Sequence, residues 1–492
     1  MNRRATDAAL VGAVKLLASG LLVAVGFEGV SDDDYARVVI AQNFAHAPSL
    51  DPSGTSWLPL PFWVHGASMM LFGTSLGVAR AVGVVLGVLS SVLVWLAASW
   101  MMEALGPSAG SRAVSPSALA RTGAILAAIS PWSLRLGAAV VPELLSAACS
   151  LLAAASLVPS AERAGERRLA GAVALFVASL SRYEPWFVGA VFAGFVAMDG
   201  VSRRVRPWVS LVSAALVLSA PAWWLVHNQL AHGHALFFLD SVVAYKRALD
   251  GGEIVSRLVA YPLAVVTAEP EMTALLAFFA WRWLRGRSRE NLARVRSLAR
   301  PAMVLAVLVV LLTISSARGG APTHHLERAL LALTLFEAVL LGAVAHEVIA
   351  ERRTGWPWVP LVALAAAVPG LYIWRAWYSF KESHAHRAGE LAIGREVARV
   401  VPRDERVLLE AADYGYFAVE AGSGRPWCFV LSGEIDAAGT GRALAAAELV
   451  EAARAEGLRF AVGRAGAPDE QAPAGARVVA ESPRFKLYEV TP

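Results

Sequence analysis

The sequence predicts a mainly α protein: a polytopic transmembrane helical bundle followed by a small α/β domain. Three observations carry that prediction. First, the 492 residues are 57% hydrophobic and only 17% charged, against about 25% charged in soluble domains. Second, the apolar excess recurs along most of the chain in runs long enough to cross a bilayer, for which roughly 17–25 residues are needed. Third, the composition changes after residue 378, where charge, Gly and Pro punctuate the sequence and no apolar run remains.

Taken in order, the apolar runs place about eleven spans, some of them short. They lie near 10–27, 76–101, 119–137, 139–158, 168–181, 185–198, 207–226, 259–283, 301–316, 328–349 and 357–378. The first contains Lys15 and follows Arg3 and Arg4. No small-residue cleavage site precedes the acidic residues after it, so it reads as a retained span and not a signal peptide. Alanine-rich stretches suit close helix packing in lipid. No internal repeat is visible.

Basic residues set the orientation. With the N-terminus in the cytoplasm, the even-numbered connections collect Arg112, Arg163, Arg167, Arg168, Arg203, Arg204, Arg206, Arg285, Arg287, Arg289, Arg294, Arg296, Arg300, Arg352 and Arg353. The other connections are poorer in basic residues and hold most of the acids and histidines of interest. By the positive-inside rule the tail is then extracytoplasmic. The expected domains are a membrane domain over 1–378, with a large first outer loop over 28–75, and a soluble α/β domain over 379–492. In the tail, 390–401 and 443–456 have helical spacing, while 406–410, 426–431, 459–462 and 485–490 read as short strands. The net charge of +5 reflects cytoplasmic loops and not a nucleic-acid partner. The two cysteines, Cys149 in an apolar run and Cys428 in the tail, do not form a disulfide framework.

The chemistry is expected in the first outer loop. Asp32, Asp33 and Asp34 follow the first span directly. One of them suits a helix N-cap, but three adjacent acids at a span end exceed what a cap needs. A carboxylate held there suits a general base, or a ligand for a cation that offsets phosphate charge. Farther on, Trp57-Leu58-Pro59-Leu60-Pro61-Phe62-Trp63 is expected to form a fixed turn at the membrane surface, since two prolines oppose a regular helix. Glu143 follows Pro142 in the connection between the third and fourth spans. Arg182, Tyr183 and Glu184 form the next outer connection. His324, His325, Glu327 and Arg328 lie where the ninth and tenth spans meet outside. Glu143, Arg182 and Glu184 are candidates for supporting or acceptor-binding roles. Arg328 is the first candidate for a phosphate contact, since an Arg fork suits phosphate oxygens, with Lys246, Arg247 and Arg257 of the 227–258 loop as its rivals. The scattered histidines lack the spacing of a metal motif.

These residues resemble the GT-C glycosyltransferases, in particular the branch of the protein O-mannosyltransferases and the aminoarabinose transferase of lipid A. In that branch the first outer loop opens with an acidic pair and a nearby Tyr, followed by an amphipathic segment, a Pro-rich turn with Trp, a Phe-Gly and an Arg at the second span. Here these positions read Asp32-Asp33, Tyr35, Pro59-Leu60-Pro61-Phe62-Trp63, Phe72-Gly73 and Arg80. The second acid is Asp where Glu is common. Trp57 and Leu58 stand where a Lys often precedes the prolines. The motif covers about residues 31–80, the topology the whole membrane region.

The resemblance implies an enzyme of the plasma (inner) membrane. It would transfer a sugar from a polyprenyl-phosphate donor to the hydroxyl of a protein, lipid or glycan acceptor at the outer face, with inversion at the anomeric carbon. Asp32 and Asp33 would be catalytic, and Asp34, Tyr35, Trp57, Arg80, Glu143, Arg182, Glu184 and Arg328 would bind substrate. A divalent cation at the Asp cluster is compatible, since some members use one and others do not. The competing reading is a transporter or flippase, which predicts inverted repeats and charged residues in interrupted spans. Neither is visible in the sequence.

Overall fold

The computed structural model describes residues 3–106, 114–160, 163–248, 254–286, 288–319, 325–351, 358–375, 387–436, 440–465 and 472–491. The bundle begins with α1 (Arg3–Ala24), α2 (Asp32–His46), α3 (Leu60–Phe72) and α4 (Leu76–Leu105). It continues through α5 (Pro116–Ile129), α6 (Pro131–Leu136), α7 (Glu143–Ser156), α8 (Ala164–Ser179), α9 (Glu184–Val201) and α10 (Pro207–His232). Then come α11 (Phe237–Ala248), α12 (Ile254–Thr267), α13 (Pro270–Gly286), α14 (Ser288–Val295), α15 (Ala299–Ala317), α16 (Leu326–Ala329), α17 (Leu331–Glu351) and α18 (Trp358–Arg375). A helix or helix pair overlies each of the expected spans.

Among the described residues, six helices are long and apolar enough to cross a membrane, seven if α12 and α13, bent by 66°, form one span. Shorter apolar helices, α3, α5 and α7 among them, complete the layer. The stretch at 119–137 is broken at Ser130–Pro131 into α5 and α6. A Pro there cannot donate to the preceding turn. Lys15 ties the two halves together: its buried ammonium reaches Ala128 O, on the α5 side, at 3.1 Å and Ser133 O, in α6, at 2.6 Å. The one charged residue of the first span thus closes a helix break. Close helix crossings rest on small residues. A Cβ at Gly342 would stand 2.6 Å from the Gly123 Cα, so α5 and α17 meet backbone to backbone only because both positions are glycine.

Ion pairs gather at the end of the bundle away from α2: Arg121–Asp7 at 3.0 Å, Arg167–Glu103 at 2.6 Å, Arg168 and Arg300 on Asp199 at 2.9 and 2.8 Å, and Arg294–Glu347 at 2.6 Å. Asp199 is fully buried. Two guanidiniums share it, as a desolvated carboxylate requires.

The expected turn at residues 57–63 is instead the start of a helix. Pro59 is the N-cap of α3 and Pro61 lies in its first turn. There the missing N–H has no intrahelical partner to lose. The prolines begin a helix and do not prevent one.

In the tail, α19 (Ala388–Val400), α20 (Tyr416–Ser423) and α21 (Ala446–Ala455) cover a five-stranded sheet. The strands are β1 (Val407–Leu409), β2 (Phe429–Leu431), β3 (Phe460–Arg464), β4 (Ala476–Glu481) and β5 (Phe485–Val490), in the order β2-β1-β3-β5-β4. β1 runs parallel to β2 and β3, and β5 antiparallel to β3 and β4. Strand alternation divides the core. Val407 and Leu409 face Ile393, Val397 and Val419, while Leu408 faces Leu449, Val450 and Ala453 on the other side. The sequence reading anticipates four of these strands and two of the helices. It misses β4, a half-buried edge strand that carries Arg477 and Glu481 outward, and α20. The expected boundary at 378/379 falls outside the described residues.

Glu420, on α20, is buried. Burial pushes its carboxyl up to about 8 from 4.5. The fold therefore favours the protonated acid, so its contribution is full below the unfolded value and falls away as pH rises toward 8. Glu420→Gln removes that dependence. It is expected to stabilise the tail by up to about 3 kcal/mol at neutral pH and to change little at pH 4.5. Thermal unfolding of the full chain at both pH values checks this; a gain equal at both would mean that the carboxyl is not the cause.

Candidate functional site

The three acids open α2, where carboxylates offset the helix dipole. Successive helical residues point roughly 100° apart, so the three side chains part company. Asp34 turns back on the loop before it. One oxygen accepts from Val30 N and Ser31 N at 3.1 and 3.0 Å, and the other from Val140 N at 3.2 Å. Asp32 faces the tail, where Arg387 grips both of its oxygens at 2.8 Å. Asp33 projects the third way, into a cavity of about 410 Å³. Its side chain is 51% exposed and stands 3.6 Å from the Arg328 guanidinium.

The cavity is walled by the ends of several helices. Glu143 opens α7 and Glu184 opens α9, and Arg182 bridges them. Its guanidinium meets Glu143 Oε1 at 2.6 Å and Glu184 at 3.0 and 2.5 Å. Burial alone would lower the Arg182 pKa, but Glu184 and Glu143 outweigh it and hold the value above the ordinary one. Arg328, just before α17, is nine-tenths or more buried and donates to Ser31 Oγ at 3.2 Å. It lies 3.8 Å from Glu143. On the far side, Trp57 and Leu58 line the wall. Their loop is held by Tyr183, which donates to Ser56 O at 2.6 Å and accepts from Trp224 Nε1 at 3.1 Å. Tyr414 and Phe417 of the tail close another side.

One charged lining residue escapes the sequence reading. Arg37 follows Asp33 by four residues on α2, which puts both on one face. It is buried, with its guanidinium 4.4 Å over the Trp57 ring. Among the described residues it makes no ion pair, and neither its Nε nor that of Arg328 has a hydrogen-bond partner. Burial lowers its pKa, opposed by Glu143 and Asp33 nearby. A buried guanidinium without a carboxylate in contact costs several kcal/mol. Its one sequence signal was the spacing of four from Asp33.

Of the expected site residues, the cavity brings together Asp32, Asp33, Trp57, Glu143, Arg182, Glu184 and Arg328. Asp34, Tyr35 and Arg80 do not line it. Tyr35 is buried among Val38, Val39, Leu391 and Ala418, and Arg80 donates to Glu28 O at 2.9 Å. These contacts fix the loop and its docking to the tail. His325 lines the wall, while His324 lies outside the described residues. For a divalent cation the donor set does not fit. Asp34 is spent on backbone N–H groups and Asp32 on Arg387. Among the described residues no group of three His, Cys, Asp or Glu converges.

No family model and no curated protein sequence matches the chain. Its backbone, however, matches solved structures over nearly its whole length. The crystal structure of ArnT from Cupriavidus metallidurans bound to undecaprenyl phosphate aligns with a TM-score of 0.57 at 14% identity, covering 98% of this chain and 97% of that one. The chain has the GT-C fold. The apo state of the same ArnT aligns over the same shares with a TM-score of 0.55 at 14% identity. AglB from Archaeoglobus fulgidus, an archaeal oligosaccharyltransferase in complex with an inhibitory peptide and a dolichol-phosphate, gives 0.47 at 12% identity over 93% of this chain and 69% of that one. Within this GT-C frame the cavity sits where the first loop, the ends of α7, α9 and α17, and the tail converge.

Proposed function

We propose that the protein is a membrane glycosyltransferase that moves a sugar from a polyprenyl-phosphate donor to an acceptor hydroxyl, with Asp33 as general base. The observation that carries this reading is the placement of one exposed carboxylate, Asp33, in a cavity with the buried guanidiniums Arg37 and Arg328. The fold shared with ArnT, a protein solved with undecaprenyl phosphate, supports the lipid-phosphate donor.

The chemistry follows from the charges. The donor's phosphate lies against Arg37 and Arg328, whose forks suit phosphate oxygens. Asp33 takes the proton of the acceptor hydroxyl. The freed oxygen attacks the anomeric carbon from the side opposite the phosphate. The bond from that carbon to the phosphate oxygen breaks, and the electron pair leaves with the lipid phosphate. Positive charge preorganised at the leaving group stabilises it as its charge grows. Arg182 is committed to two carboxylates and holds the floor of the site rigid. Attack opposite the leaving group gives inversion, and no step calls for a metal.

The orientation belongs to the same reading. The chain is a multi-pass protein of the plasma (inner) membrane, with the ion-paired, Arg-rich end of the bundle cytoplasmic and the tail domain, after about residue 378, outside. The positive-inside bias supports it. The transporter alternative has less support, since Asp33, Arg37 and Arg328 meet in a cavity at the end of the bundle that carries the tail.

The test is release of undecaprenyl phosphate by the purified protein from a panel of undecaprenyl-phosphate sugars carrying mannose, arabinose or aminoarabinose. Turnover of one donor, lost in Asp33→Asn, is expected. A folded protein that neither turns over a donor nor binds undecaprenyl phosphate overturns the reading.

A further inference from the structure

Four carboxylates, Asp32, Asp33, Glu143 and Glu184, face the cavity, against three guanidiniums, Arg37, Arg182 and Arg328. By itself that wall carries an excess of one negative charge. The fourth cation comes from the tail. Arg387 lies 355 residues from Asp32 in sequence and opens α19. Its Nε and Nη2 grip Asp32 at 2.8 Å each, while Nη1 donates to Glu390 at 3.0 Å and Asp413 at 3.2 Å. Asp413 is shared in turn with Arg464. Burial works against the charge on Arg387, but Asp32, Asp413 and Glu390 hold its pKa above the ordinary value. Among the described residues, Arg387 makes the one ion pair to Asp32.

We infer that Arg387 is a positioning residue through which the tail domain makes the cavity competent to bind a phosphate headgroup: it neutralises Asp32 and turns that carboxylate away from the donor. This rests on the reading of the cavity as a lipid-phosphate site. Without Arg387, the Asp32 carboxylate stands at the wall with no counter-charge, and Glu390 loses its partner beside it. The cost falls on the anionic ligand. Charges separated by less than a Debye length, across partly desolvated walls, are poorly screened. Docking of the tail does not depend on this pair alone. Tyr35, Val38 and Val39 pack against Leu391, Ala418 and Ala421, Gln42 donates to Ala421 O at 3.0 Å, and His46 stacks on Trp427 at 4.2 Å.

The probe is undecaprenyl phosphate, titrated in detergent against the full chain and followed by native mass spectrometry. Arg387→Gln is expected to weaken binding about tenfold, and Arg387→Lys, which keeps the charge but loses the fork, by about threefold. Asp32→Asn placed in the Arg387→Gln background removes the stranded charge and should bring binding back to within about threefold of wild type. A purely structural role predicts no such rescue. If Arg387→Gln binds like wild type, or the double variant stays as weak as the single one, the inference is wrong and the lipid-phosphate reading stands. If the wild type does not bind undecaprenyl phosphate, that reading falls and the inference with it.

Discussion

Asp33→Asn is expected to lower the turnover of a polyprenyl-phosphate sugar by about a thousandfold or more, since general-base catalysis contributes typically 10²–10⁴-fold. The expectation follows from what the three neighbouring acids are bonded to. Asp34 is fastened to three backbone N–H groups and Asp32 to both arms of Arg387. Only Asp33 has oxygens free toward the cavity, with Arg328 near enough at 3.6 Å to steady the carboxylate without covering it. The amide of the variant is isosteric and cannot take a proton, so the unfolding temperature should hold, and the affinity for undecaprenyl phosphate should hold or rise as one cavity carboxylate loses its charge. KM should therefore change far less than kcat. Asp34→Asn, by contrast, replaces an acceptor oxygen by an NH₂ that faces backbone N–H groups, and its first effect should be on stability. Parallel measurement of kcat and unfolding temperature for the two variants separates the roles. If Asp33→Asn keeps near-wild-type turnover, the base is elsewhere.

The bundle was legible because hydropathy is a strong signal over 20 residues, and because a bilayer forces backbone groups to be satisfied within helices. Its interruptions were not. Lys15 is a lone charge in an apolar run, and it bonds carbonyls on both sides of the Ser130–Pro131 break, a partnership no local pattern reveals. Pro59 and Pro61 pass for helix breakers because propensity says nothing about which side of the proline the helix lies on. The carboxylates of the site were visible as a cluster, but their division of labour depends on helical angles and on partners at Val140 and Arg387. Arg387 sits in a segment that reads as ordinary charged sequence. The β4 strand, half-buried at a sheet edge with Arg477 and Glu481 its only charges, carries too weak a pattern to stand out.

Arg37→Gln should separate stability from function in opposite directions. The wild-type guanidinium is buried over Trp57 without a carboxylate in contact, and desolvating an unpaired charge costs several kcal/mol. Removing the charge relieves that cost, so the variant should unfold at a temperature equal to or above that of wild type. Loss of the stacking on Trp57 offsets part of the gain, by about 1–2 kcal/mol. A residue kept for packing alone would behave the other way. Undecaprenyl phosphate should bind about a hundredfold more weakly, because one of the two cations not committed to the Glu143–Arg182–Glu184 bridge is gone. Arg328→Gln tests the same phosphate but lacks the first signature: Arg328 bonds Ser31 and neighbours Asp33 and Glu143, so its loss should cost stability as well as affinity. Unfolding temperature and lipid-phosphate affinity measured on both variants therefore give two different pairs of signs. If Arg37→Gln binds undecaprenyl phosphate as tightly as wild type, the unpaired charge has some other purpose and Arg328 alone holds the phosphate. If it binds weakly yet unfolds at a higher temperature, the charge is held in the fold at a stability cost for the sake of an anion.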